Sequence, residues 1–139
     1  TAMPHQSNPP TDDEKVRYRK KQSFIKQLKK TPRFEVKLGR LQKTHDGIKA
    51  QYKQKGVDMM LGVDLLKMSC KKQIQSAVII TADSDFVYAV QTAKDAGVIT
   101  KLCYSDKLPV NQSLLDVFDE NIPFTQDIID ACLLNPSKV

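Results

Sequence analysis

The 139 residues suffice for one domain with one sizeable core. A composition of 40% hydrophobic and 27% charged residues, with no apolar run near the roughly 20 residues that span a bilayer and no basic-then-apolar leader, excludes a membrane protein and points to the cytoplasm. The net charge of +6 joins unlike halves: residues 1–72 hold 18 Lys and Arg against 7 Asp and Glu, residues 73–139 hold 4 against 9, a pattern that suits a polyanion on one surface and cations on another.

Residues 1–11, with three prolines and no helical period, read as an irregular loop. A helix is expected from Thr11 or Asp12 to Lys30, with acids in its first turn, an apolar stripe of Tyr18, Ile25 and Leu28, and lysines over much of the rest. Thr31-Pro32 ends it. Phe34, Val36 and Leu38 alternate with charged residues, which predicts a strand closed near Gly39. Residues 42–56 are polar, basic and aperiodic and read as a mobile loop, whereas "VDMMLGVDLLKMSC" reads as a buried helix. "SAVIIT" is apolar throughout, as strands covered on both faces are. A helix closed by Gly97, the strand "VITKLCYS", the helix "NQSLLDVFDE", a strand-like "IPF" and the helix "TQDIIDACLL" follow. This order predicts an α/β fold with a mostly parallel sheet.

Three widely spaced cysteines, Cys70, Cys103 and Cys132, allow no complete disulfide framework and no CxxC zinc site, so they read as buried free thiols. His5 and His45 have no partner at ligand or catalytic spacing and read as surface residues. The chemistry lies in "TADSDF". In parallel sheets ligands sit beyond the carboxyl ends of strands, and Asp83 and Asp85 fall there, although one acid suffices to cap the next helix. Asp58, in "KGVD", also opens a helix. Carboxylates gathered at such a place repel unless a cation lies between them, and such oxygen ligands suit Mg2+ or Mn2+ and metal-assisted phosphodiester hydrolysis.

"KGVDMMLGVDLLKM", "AVIITADSDFVYAVQTAKDAGVITKLCYS" and "LPVNQSLLDVFDENI" together resemble the successive blocks of the NYN domain family, in its LabA/DUF88-like branch within the PIN-like nucleases. The resemblance covers about residues 33–125 and implies a three-layer α/β/α, Rossmann-like domain. It also implies a divalent-metal ribonuclease whose catalytic and metal-binding acids are Asp58, Asp83 and Asp85, with Thr81 and Asp64 in support. Asp119 matches a further acid of the branch, with structural pairing as its simpler explanation. Ala82 stands where the family has glycine. The family's first strand, which ends in an acid and lies centrally in the sheet, has no counterpart in residues 1–33. The chain is therefore expected to be a single NYN domain lacking N-terminal strands, with an open apolar edge that a homo-oligomer or another partner would complete.

The expected activity is ribonuclease, with single-stranded RNA held by Lys20, Lys21, Lys53 and Lys55. The alternative is a weak or inactive regulatory module that binds RNA or protein, favoured by the absence of the first acid.

Overall fold

The computed structural model describes residues 1–45 and 50–133. The chain divides into two compact units, Thr1–Leu61 and Gly62–Val139. The division nearly coincides with the charge asymmetry: the first unit holds 15 Lys and Arg against 6 Asp and Glu, the second 7 against 10.

In the first unit, helix α1 runs Asp12–Lys30, as its sequence pattern predicts. Its start is a reciprocal capping box. The Thr11 hydroxyl accepts the Glu14 backbone N–H, and the Glu14 carboxylate accepts that of Thr11. The same carboxylate accepts the N–H and the hydroxyl of Ser7, and His5 Nδ1 lies 3.8 Å from its other oxygen. These bonds, the Ser7 hydroxyl first, hold Glu14 at a pKa of about 2. The His5 ring also stacks on Tyr52, with centroids 3.9 Å apart. His5, expected at the surface, is half-buried between Glu14 and Tyr52, the latter far along the chain.

The strand expected at 33–39 is not one. Arg33 turns the chain at φ 61, and residues 34–39 have no ladder partner among the described residues. Near their end, Lys37 O accepts from the Thr1 amino group and the Gly39 N–H donates to Thr1 O. Phe34 and Leu38 remain exposed.

The mobile loop expected at 42–56 is instead a β-hairpin. Strand β1 (Arg40–His45) pairs antiparallel with β2 (Ala50–Lys55), Lys53 opposite Gln42 and Lys55 opposite Arg40. The part of that expectation at 46–49 lies outside the described residues. Periodicity was silent because both faces are largely polar. The Asp46-Gly47 dipeptide was the available hairpin signal. Where β2 ends, a Cβ on Gly39 would lie 2.6 Å from both Lys55 O and Val57 Cγ2, so the approach requires glycine.

Helix α2 (Val57–Cys70) forms where expected but is not buried. Leu65 and Ser69, one turn apart, are covered, whereas Met59 is 71% exposed and Val63 is also open. An apolar composition all round the helix does not by itself place partners on every side.

The second unit is built on a parallel sheet of order β3-β4-β5, with β3 Ser76–Ile80, β4 Ile99–Ser105 and β5 Glu120–Phe124. A 3-10 turn (Ser84–Phe86) and α3 (Val87–Asp95) join β3 to β4, α4 (Gln112–Val117) joins β4 to β5, and α5 (Gln126–Ala131) follows. Ile79 and Leu102 of the sheet pack with Phe86, Val90 and Ala93 and with Leu114, Val117 and Phe118 to form the core. The α/β class and the parallel sheet are as expected.

Strand β3, however, is covered on one face. Side chains alternate along a strand: Ile79 enters the core, while Val78 and Ile80 are 60% and 68% exposed. β3 is also an edge strand among the described residues. Of the cysteines, all free, Cys103 is buried, but Cys70 and Cys132 are exposed, contrary to expectation, because each lies at or just beyond a helix end.

Candidate strand-end acidic site

Beyond the carboxyl end of β3 the backbone is fixed by two local side-chain bonds. Thr81 Oγ1 accepts the Asp83 N–H at 3.1 Å, and Asp83 Oδ1 accepts the Asp85 N–H at 2.9 Å, capping the 3-10 turn. Phe86, buried in the core, anchors the end of that turn. Asp83 and Asp85 are both exposed. Ala82 fits without strain, since the non-glycine residues with positive φ are Arg33 and Lys72.

Asp58 lies exposed in the first turn of α2, where the helix dipole favours an anion, just after Gly56, whose φ of +84 suits glycine. It belongs to the first unit, and Asp83 and Asp85 to the second. Among the described residues, no group of three or more His, Cys, Asp or Glu side chains is placed to hold a metal ion. The donor chemistry of these carboxylates fits Mg2+ or Mn2+.

Asp64 is half-buried on α2 and is engaged with a polar or charged neighbour. Asp119 is structural. Its Oδ2 accepts both the N–H and the hydroxyl of fully buried Thr100, at 2.8 and 2.9 Å, and its Oδ1 lies 3.0 Å from Lys94 Nζ. The Thr100 and Lys94 bonds hold it at a pKa of about 2. Thr100 is the second residue of β4, so this clamp sits at the amino end of the sheet. Asp83 and Asp85 are at the carboxyl end, on the order of 15 Å away at strand rise.

Sequence reasoning missed Asp106 and Lys107, which follow β4 on the same carboxyl edge; both are exposed, and Lys107 Nζ donates to Gln126 Oε1 at 2.8 Å. Their position directly after "VITKLCYS" was the signal for them.

Among the basic candidates, Lys53 and Lys55 are exposed and share one hairpin face with Arg40, by alternation and register. Leu41, Lys43 and Tyr52 take the opposite face, where His5 stacks on Tyr52. On α1, Lys20 is exposed, whereas Lys21 is half-buried with its Nζ 5.8 Å from the Phe24 ring centroid.

The sequence matches the family model described as the NYN domain over residues 11–129, a span that reaches back to α1 and includes Asp58, Asp83 and Asp85. The chain belongs to the NYN domain family. No curated protein matches it. A solved structure similar to this NYN domain is the crystal structure of a protein of unknown function from Vibrio parahaemolyticus. The two are 20% identical, with a TM-score of 0.60 over 78% of this chain and 62% of that one. At that identity the likeness concerns the fold, and this chain spans less than two thirds of the solved protein's length. No helix among the described residues is long and apolar enough to cross a membrane.

Proposed function

We propose that this NYN domain is a ribonuclease of the LabA/DUF88-like, PIN-like type, with Asp83 and Asp85 at its reactive edge. The observation that carries the reading is the "TADSDF" turn, with Asp83 and Asp85 exposed. Its backbone is locked by Thr81 and Asp83, and it opens from the end of a parallel strand, where α/β sheets present ligands. Capping uses one carboxylate oxygen and leaves the second acid, Asp85, without a capping role. Asp83 and Asp85 are the chain's ligands for an Mg2+ or Mn2+ ion. Such ions are commonly held by one or two carboxylates together with substrate phosphates, so the RNA itself can supply oxygens that the described residues do not. Asp58 is the third acid of the proposal, with Thr81 and Asp64 in support. The Arg40, Lys53 and Lys55 face, with Lys20 and Lys21, holds single-stranded RNA through its phosphates.

The alternative is a weak or inactive regulatory module that binds RNA or protein. Cleavage of labelled single-stranded RNA with Mn2+, by the parent and by Asp83→Asn/Asp85→Asn at matched folding, separates the two. Mn2+-induced broadening of the Ser84 and Phe86 amide signals gives a readout independent of turnover. Cleavage and broadening in the parent, both lost in the variant, support the nuclease. RNA binding without either supports the module.

A further inference from the structure

The first unit contains an open cleft of ≈ 390 Å³ that none of the residues assigned above explains. Its apolar lining is Met3, Tyr18, Ile25 and Leu38, with Gln22 beside them and Lys26 and Lys29 also lining it. The five α1 residues among these recur at helical spacing and form one face of the helix. Lys20 and Lys21 are the α1 lysines named above for RNA. At 100° per residue, Lys20 falls on the opposite side of α1 and Lys21 at the margin of the cleft face. The cleft therefore combines an aromatic ring, aliphatic side chains, one amide and two ammonium groups.

We propose that this cleft is a nucleotide subsite, taking one base of single-stranded RNA on its apolar lining and the adjoining phosphates on Lys26 and Lys29. It rests on the RNA-binding reading above and adds a residue-level site to it. Three features of the cleft favour a nucleotide over other anions. The volume is at the small end of ligand pockets, suited to one ring system rather than a long chain. Tyr18 offers a ring for sequence-tolerant stacking. Gln22 carries both a donor and an acceptor for a base edge, which a purely apolar ligand would leave unpaired. Acids are absent from the lining, and the surrounding unit is strongly basic.

The test uses the whole chain and two readouts. Methyl NMR signals of Ile25, Leu38 and Met3 are followed on adding adenosine 5′-monophosphate, and single-stranded RNA affinity is measured by anisotropy. The exposed pair Lys26→Gln/Lys29→Gln should lower the salt slope of RNA binding by ~1.4, the share of two phosphate contacts on a single strand. Tyr18→Leu should weaken RNA binding roughly 5- to 150-fold, the range of one lost stack. If Tyr18→Leu fails to fold, the lysine pair still decides. RNA bound equally by the parent and both variants overturns the subsite and leaves RNA binding elsewhere intact. Methyl shifts with dodecanoate but none with the mononucleotide assign the cleft to an apolar anion and overturn the proposal. A parent that binds no RNA overturns both readings.

Discussion

Asp83 Oδ1 accepts the backbone N–H of Asp85 at 2.9 Å, so the first acid of the pair holds the second in place. Asn and Asp cap about equally well. Asp83→Asn should therefore keep its melting temperature within about 2 °C while RNA cleavage falls on the order of 10²-fold or more. Asp83→Ala loses the cap and should cost about 1 kcal/mol in denaturant unfolding. Asp85→Asn, which removes no capping oxygen, should lower cleavage without altering stability. Equal destabilisation by both Asn variants would show that the turn depends on charge rather than on the capping bond.

Acid should loosen the two units through different carboxylates. Glu14 is held at about 2 against an ordinary 4.5, and Asp119 at about 2 against 3.8. Both folded values are depressed. Each group's contribution is therefore complete above its unfolded pKa and is lost as pH falls toward 2. Protection of the Thr11 amide, relative to its unstructured exchange rate at each pH, should fall across pH 4.5 to 2 in the parent and already be lower at neutral pH in Glu14→Gln. Thr100 should behave in the same way toward Asp119→Asn. A Thr11 amide insensitive to Glu14→Gln would remove the carboxylate from the N-terminal network.

Gly39→Ala should be among the most costly single-atom additions in the chain. The new Cβ meets Lys55 O, a backbone atom that cannot swing aside, and Val57 Cγ2, both at 2.6 Å. A loss of about 1–3 kcal/mol is expected from overpacking, read as an earlier urea midpoint. An unchanged midpoint would mean that the hairpin base tolerates displacement.

The hairpin makes a face-specific prediction for RNA. Neutralising Arg40, Lys53 and Lys55 together should weaken binding and reduce the salt slope by ~2, near the share of three phosphates on a single strand. Lys43→Gln, on the Tyr52 face, should leave the slope unchanged. Equal effects from both faces would point to diffuse attraction rather than a tracked backbone.

The sequence revealed most where local chemistry and tertiary outcome agree. The limits of α1 followed from Thr11 and Thr31-Pro32, and the α/β order from alternating apolar runs ended by Gly97 and similar breakers. Ala82 was read as tolerable, and its φ is not positive. Partners were harder to read. Phe34–Leu38 alternates like a strand yet has no neighbouring strand to bond. Residues 40–45 and 50–55 do form strands, but cross-strand hydrogen bonds rather than hydrophobic alternation specify them. Burial was overestimated for α2 and β3 because apolar side chains record a preference for cover, not its presence. The acids Asp83 and Asp85 were legible as a strand-end motif; that Asp119 belongs to the other end of the sheet depended on which strand end faces Thr100, which composition does not encode.

That separation sets where this domain can vary. The Asp119–Thr100–Lys94 clamp bonds the amino edge of the sheet, while the opposite edge carries a short capped turn and the buried Phe86. New loop lengths or acids could therefore be introduced after β3 and β4 with little effect on the foundation. A lineage, or an engineer, could rewrite one rim of the sheet while the opposite edge keeps the fold.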